Sequence, residues 1–161
     1  MSFSWNDPNS FYPMDIVNLY DESDPMHELL ENIDFPDGFL VVGTHSTEDN
    51  FSKKIYISNL NVNMTVETSE ISDAVFKSGL WDGMDPILLI ACNAGVWGTS
   101  SPAQHLADSL GTKVLAAAGY VYLTPNGEYY ASETEAESKD DPNFDITREP
   151  DCWFWFYPQG Y

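Results

Sequence analysis

The chain has 161 residues, 43% hydrophobic and 14% aromatic, which is enough apolar material for one compact core and too little length for two. Against 26 acidic residues stand 6 Lys plus Arg, a formal charge of −20. Nucleic acids and anionic membrane surfaces draw on Lys and Arg for their affinity, so both are excluded as partners; the charge suits a basic protein or peptide, or solubility by self-repulsion.

The first 35 residues are aromatic and acidic, interrupted by Pro8, Pro13 and Pro25, and read as an N-terminal extension. Met1 to Asp7 lack the basic start and apolar stretch of a signal peptide, and no apolar run approaches a membrane span. The expectation is a cytoplasmic chain. Asp24-Pro25 has the form of an N-cap followed by proline at the first helical position, opening a short helix through Leu29, Leu30 and Ile33. Phe39-Leu40-Val41-Val42 predicts a strand buried on both faces, ending at Gly43-Thr44-His45-Ser46. Lys54 to Ser58 alternates like a half-buried strand, and Met64-Thr65-Val66 suggests a second short one. A helix from Thr68 or Ser69 carries Ile71, Ala74, Val75 and Leu80 at helical spacing. Asp85-Pro86 resets the chain into Ile87 to Ala91, its most apolar strand, which stops at Cys92.

Ser101-Pro102-Ala103-Gln104 has the Ser-x-x-Gln form of a capping box, and the helix it opens closes at Gly111. Lys113 to Ala118 is a third apolar strand, so the segment from Ile87 has the order of a right-handed parallel crossover. Tyr120 to Leu123 and Glu128 to Ala131 flank the turn signal Pro125-Asn126-Gly127 and predict a β-hairpin. Residues 133–150 read as an exposed acidic loop, and 151–161 as an aromatic C-terminal strand. The fold class expected is α/β: one domain over residues 1–161, with a mostly parallel sheet flanked by helices.

Two apolar strands each stop at a chemically capable residue, His45 and Cys92. In an open α/β sheet the C-terminal ends of parallel strands share one edge, where sites form. A cysteine there, followed by Asn93-Ala94-Gly95, would sit on a tight turn with backbone amides free to hold an oxyanion. A nearby imidazole could take the thiol proton and raise the thiolate fraction. For either residue alone, simple packing is the commoner explanation; as a pair at neighbouring strand ends, packing and catalysis stand about level. His27 and His105 read as packing or surface residues, and Cys152 as core. Both thiols are expected reduced in the cytosol. No spacing resembles a zinc site, a phosphate loop or a serine elbow.

Val41-Val42-Gly43-Thr44-His45-Ser46, taken with Leu88-Leu89-Ile90-Ala91-Cys92-Asn93-Ala94-Gly95, resembles the caspase-like (clan CD) cysteine peptidases, in particular the bacterial gingipain-like and toxin-associated branch. There a strand ends in His-Gly and a helix follows. A second strand then ends in Ala-Cys or Ser-Cys before Asn-x-Gly, with a Ser-rich loop, a helix and a strand beyond. Ser101 to Gly111 and Lys113 to Gly119 follow in that order, and the resemblance spans about Gly38 to Ser132. It implies Cys92 as nucleophile, His45 as general acid or base, the backbone amides of Ser46 and Cys92 as oxyanion donors, and Gly43, Asn93 and Gly95 as shaping residues. Ser46 departs from the glycine usual after the histidine.

The implied function is a cysteine peptidase of toxin or effector type, cytoplasmic in the producing cell or delivered from it by a secretion system. Relatives that bind inositol hexakisphosphate use many basic residues, which six Lys plus Arg cannot supply, so no cofactor and no metal are expected. A peptide substrate with Lys or Arg at the cleaved position fits the charge. Glu133, Glu135 and Glu137 fall where a specificity loop would lie, although an acidic run is more simply a solvated surface. The competing expectation is a catalytically inactive, acidic binding module, an immunity-type inhibitor or DNA mimic, holding a basic protein partner.

Overall fold

The computed structural model describes residues 2–4, 15–57, 60–133 and 152–159. In chain order the elements are β1 (Ser2–Ser4), β2 (Ile16–Asn18), α1 (Pro25–Glu31), β3 (Leu40–Gly43), β4 (His45–Ser46), β5 (Phe51–Ile57), β6 (Leu60–Val66) and α2 (Thr68–Ser78). They continue with β7 (Ile87–Ile90), a 3-10 turn at Gly98–Ser100, α3 (Pro102–Leu110), β8 (Val114–Ala117), β9 (Tyr120–Leu123), β10 (Tyr129–Ser132) and β11 (Trp153–Phe156).

The main sheet has the order β1-β2-β3-β7-β8-β11. Neighbours are parallel from β1 to β8, and β11 runs antiparallel along β8. The expected mixed α/β class with a mostly parallel, helix-flanked sheet is therefore found. Apolar runs such as Leu40 to Val42 and Ile87 to Ile90 are buried along their whole length because both sheet faces are covered. Alternate residues serve opposite cores. Leu40, Val42, Ile87 and Leu89 pack with Ile71 and Val75 of α2 and Ala103 and Leu106 of α3. Val41, Leu88 and Ile90 pack with Leu30 of α1 and with Val121 and Leu123 of the hairpin. Each of the Val, Leu and Ile side chains among these contributes about 1.5–3 kcal/mol by leaving water.

Local signals act at the helix ends. Asp24 caps α1 by accepting the Met26 amide at 2.9 Å, with Pro25 directly behind it. Ser101 caps α3 through the Gln104 amide at 3.2 Å. The reciprocal half of the box is replaced by other bonds: Gln104 donates to Asp108 Oδ1 at 3.0 Å and to the Tyr157 carbonyl at 2.7 Å. That second bond ties the chain beyond β11 to α3. Gly111 ends α3 in the left-handed region at φ 68°, where a side chain would be strained.

Three differences from the sequence reading bear on the sheet. β5 and β6 are seven residues each and pair in register from Phe51↔Val66 to Ile57↔Leu60. Among the described side chains of this arm, Phe51 and Val66 at its base enter the core, while Leu60, Val62 and Met64 are exposed. The arm thus lacks the buried run that marks a strand in sequence. A second difference is β2. Ile16 and Val17 are fully buried and pair with Val41 and Val42, so the segment read as an extension supplies an interior strand of the sheet. The third is β10, which starts at Tyr129 and reaches Ser132, one residue later than its apolar pattern suggests. The acidic run beyond Glu133, including Glu135 and Glu137, lies outside the described residues.

Candidate functional site

β3 and β7 lie side by side, with Gly43 opposite Ile90, so their C-terminal ends reach one edge of the sheet together. The Thr44 amide donates to the Ile90 carbonyl at 3.1 Å and continues the ladder one step further. His45 then begins β4 and leaves the main sheet. Its ring meets the loop ahead of α1: Nε2 lies 2.5 Å from Asp24 Oδ2. The Asp24 side chain is 5% exposed and that of His45 is 22% exposed, so the pair is shielded on the carboxylate side and open on the imidazole side.

Asp24 therefore divides its two oxygens. Oδ1 holds the Met26 amide at the start of α1, and Oδ2 holds His45. Burial alone would raise its pKa. The bonds from His45 and the Met26 amide, with the charges of His45 and Lys54, outweigh burial and hold the carboxyl below its ordinary value. A carboxylate on Nε2 keeps the neutral ring protonated there and leaves Nδ1 as the basic nitrogen.

Tyr20 stands between the two strand ends. Its ring meets the His45 ring edge-on at 4.7 Å and 84°, and its hydroxyl donates to the Ile90 carbonyl at 3.0 Å. Burial, then the neighbouring Cys92 and Asp24, push its phenol well above the ordinary pKa, so it stays neutral. Gly43 lies against this contact: a Cβ there would clash with Leu30 Cδ2 and lie 3.0 Å from Tyr20 Cε2.

Cys92 follows β7 by two residues and is partly buried. Its sulfur accepts the Val121 amide of β9 at 3.4 Å and its thiol donates to the Val121 carbonyl at 3.8 Å. Asn93 then takes φ 58°, a left-handed conformation that asparagine tolerates better than most residues, and the chain turns sharply. The expectation that the amides of this turn are free is corrected. Asn93 N–H donates to the Gly119 carbonyl at 2.7 Å and Gly95 N–H to the Ala117 carbonyl at 2.9 Å, because the turn is anchored on the end of β8. Gly95 also faces Phe156, whose Cζ would be 2.9 Å from an added Cβ.

The Ser46 amide is placed differently. Thr47 N–H donates to the Asn50 carbonyl at 2.8 Å, which makes that pair hydrogen-bonded and Ser46↔Phe51 the intervening, non-bonded pair. The Ser46 amide thus points away from β5, along the open edge of β4. Ser46 lies in a strand, and Asn93 is the one non-glycine with positive φ among the described residues, so a side chain after His45 costs the backbone nothing.

Two participants, Asp24 and Tyr20, have no chemical signature in the sequence. Asp24 is visible only as a cap, and Tyr20 only as one more aromatic. The remaining candidates fall where packing places them: Cys152 is 3% exposed in the core, and His105 is exposed on α3. His27 Nδ1 pairs with the Tyr20 carbonyl at 2.8 Å. No group of three His, Cys, Asp or Glu able to hold a metal occurs among the described residues, and none of their helices is long and apolar enough to cross a membrane.

Residues 15–131 match the family described as Domain of unknown function (DUF8616). The chain belongs to this family. The DUF8616 span runs from the residue before β2 into β10 and contains Tyr20, Asp24, His45 and Cys92, whereas β1 and β11 lie outside it. No curated protein and no solved structure matches the chain.

Proposed function

We propose that the chain is a cysteine hydrolase of caspase-like architecture, acting on peptide bonds, in which Cys92 is the nucleophile, His45 the base and Asp24 the residue that orients it. The observation that carries this reading is the Asp24–His45 pair, set at the end of β3 one strand away from the end of β7 that presents Cys92. A histidine whose far nitrogen is held by a buried carboxylate is arranged as general bases commonly are.

In the reaction, His45 Nδ1 takes the Cys92 thiol proton and the thiolate attacks the peptide carbonyl carbon. The oxyanion is met by the amides of Ser46 and Cys92, the role that the family resemblance assigns them. His45 returns the proton to the leaving amine as the C–N bond breaks, leaving a thioester. Water, deprotonated by the same nitrogen, then hydrolyses the thioester and restores the thiol. Asp24 remains ionised and stabilises the imidazolium in both halves.

The test is the alkylation rate of Cys92 by iodoacetamide across pH 5 to 9, read by intact mass, for the native chain and for His45→Ala. An activated pair labels at a pH well below that of an ordinary thiol, and His45→Ala removes the advantage. A native profile like that of a free thiol, unchanged in His45→Ala, would falsify the reading.

The charge of −20 favours a second reading, an acidic module that binds a basic protein without catalysis. It predicts binding that weakens with salt and survives Cys92→Ala.

A further inference from the structure

We infer that Tyr20 is a positioning residue for His45, a role that deepens the hydrolase reading and rests on it. The ring of Tyr20, set edge-on to the imidazole, fixes the rotation of a side chain that Asp24 alone could hold only at one nitrogen. One hydrogen bond on Nε2 leaves the imidazole free to swing about that bond. A second contact on its flank removes that freedom and fixes the direction in which Nδ1 points.

The way Tyr20 is held supports this role. Its main-chain amide donates to Asn18 Oδ1 at 3.2 Å, its carbonyl pairs with His27 Nδ1 at 2.8 Å, and its hydroxyl donates to the Ile90 carbonyl at 3.0 Å. Asn18 is fully buried and is itself fixed by donating to the His27 carbonyl at 2.9 Å and to Glu31 Oε1 at 3.1 Å. The main-chain bonds fix the residue's position, and the hydroxyl bond fixes its ring. The hydroxyl bond does more than satisfy a buried donor, because Ile90 ends the strand that carries Cys92. Tyr20 therefore references the His45 ring to the strand of the nucleophile. The segment from β2 to α1 then supplies both residues that direct His45, Asp24 at one nitrogen and Tyr20 on the flank.

The experiment repeats Cys92 alkylation against pH on the full chain with Tyr20→Phe, Tyr20→Leu and Tyr20→Met, beside His45→Ala, with thermal unfolding recorded for each. Tyr20→Phe keeps the flank contact but loses the bond to the Ile90 carbonyl, and should slow labelling about 2- to 5-fold, between native and the variants that lose the ring. Tyr20→Leu and Tyr20→Met lose the flank contact and should slow labelling about tenfold or more, moving the profile toward that of His45→Ala. Tyr20→Met retains more volume and serves if the leucine variant does not fold. A folded Leu or Met variant with the native profile, while His45→Ala is shifted, overturns the role of Tyr20 and leaves the hydrolase reading standing. A His45→Ala profile identical to native overturns the hydrolase reading first, and the role of Tyr20 with it.

Discussion

At the scale of single residues, Asp24 shows how one side chain can serve a helix and a site at once. Its two oxygens can be separated by substitution. Asparagine caps helices about as well as aspartate, so Asp24→Asn should keep α1 while removing the charge opposite His45. The expected result is a folded chain with α1 intact, less stable than native at neutral pH by the carboxylate's share, and Cys92 alkylation slowed about 10- to 100-fold, the scale of a lost hydrogen bond to a charged group, about 1.5–3 kcal/mol. Asp24→Ala should lose the cap as well. A slow Asp24→Ala with a native-rate Asp24→Asn would assign Asp24 to the helix alone.

The same carboxyl sets a pH dependence whose sign follows from its lowered pKa. An unfolded aspartate titrates near about 3.9 and the folded one lower, so the unfolded state binds the proton first as acid is added. The stabilisation from Asp24 is complete above the unfolded value and is lost as pH falls through the folded one. Acid titration of the unfolding midpoint should show this loss in the native chain and lack it in Asp24→Asn.

At the scale of elements, α1 is pressed against the end of β3 closely enough that Gly43 cannot gain a side chain without displacement. A Cβ at Gly43 would clash with Leu30 Cδ2, and Leu30 is fully buried, so it has nowhere open to move. Gly43→Ala should cost about 1–3 kcal/mol in urea unfolding, the usual range for overpacking, and should disturb Tyr20 through the same contact. Gly38 has φ 90° but nothing within 4 Å of its added Cβ, so substitution there should cost backbone strain without this crowding. Equal losses at the two glycines, with alkylation of Cys92 untouched by Gly43→Ala, would remove the case for a packed α1–β3 contact that bears on the site.

The elements also show where sequence signals carry and where they stop. α1 and α3 are legible because their caps are local: Asp24-Pro25 and Ser101-Pro102 act within a turn of chain. β3, β7 and β8 are legible because burial on both faces leaves an uninterrupted apolar run. β2 is three residues, too short for any period, and it enters the sheet only because β3 offers it a partner edge. β5 and β6 are held as an antiparallel pair with most of their described side chains out of the core, so Lys53, Lys54 and Asn63 occupy positions where a buried strand would carry aliphatics.

At the scale of the whole molecule, the charge of −20 places like charges along a chain of 161 residues, and their mutual repulsion opposes the compact state. Salt screens exposed charges while leaving the buried cores unaffected. The unfolding midpoint should therefore rise when sodium chloride is increased from low to physiological ionic strength. A midpoint that falls over this range would mean that attractive pairs dominate the surface, in spite of the excess of acids.

By itself, the sequence determined the local elements and the edge of the sheet where chemistry could gather. Runs of aliphatics define the strands, caps define the helices, and His45 and Cys92 stand where two of those strands end. Only the tertiary structure decided what surrounds them. It places β2 beside β3, brings the capping carboxylate onto the imidazole, inserts Tyr20 between the strand ends, and binds the Asn93 and Gly95 amides to Gly119 and Ala117. Periodicity and capping act over a few residues and leave a pattern in the chain. A contact between Asp24 and His45, or between Tyr20 and Ile90, joins segments whose separation and direction are set by packing two cores on one sheet, and no local pattern records it.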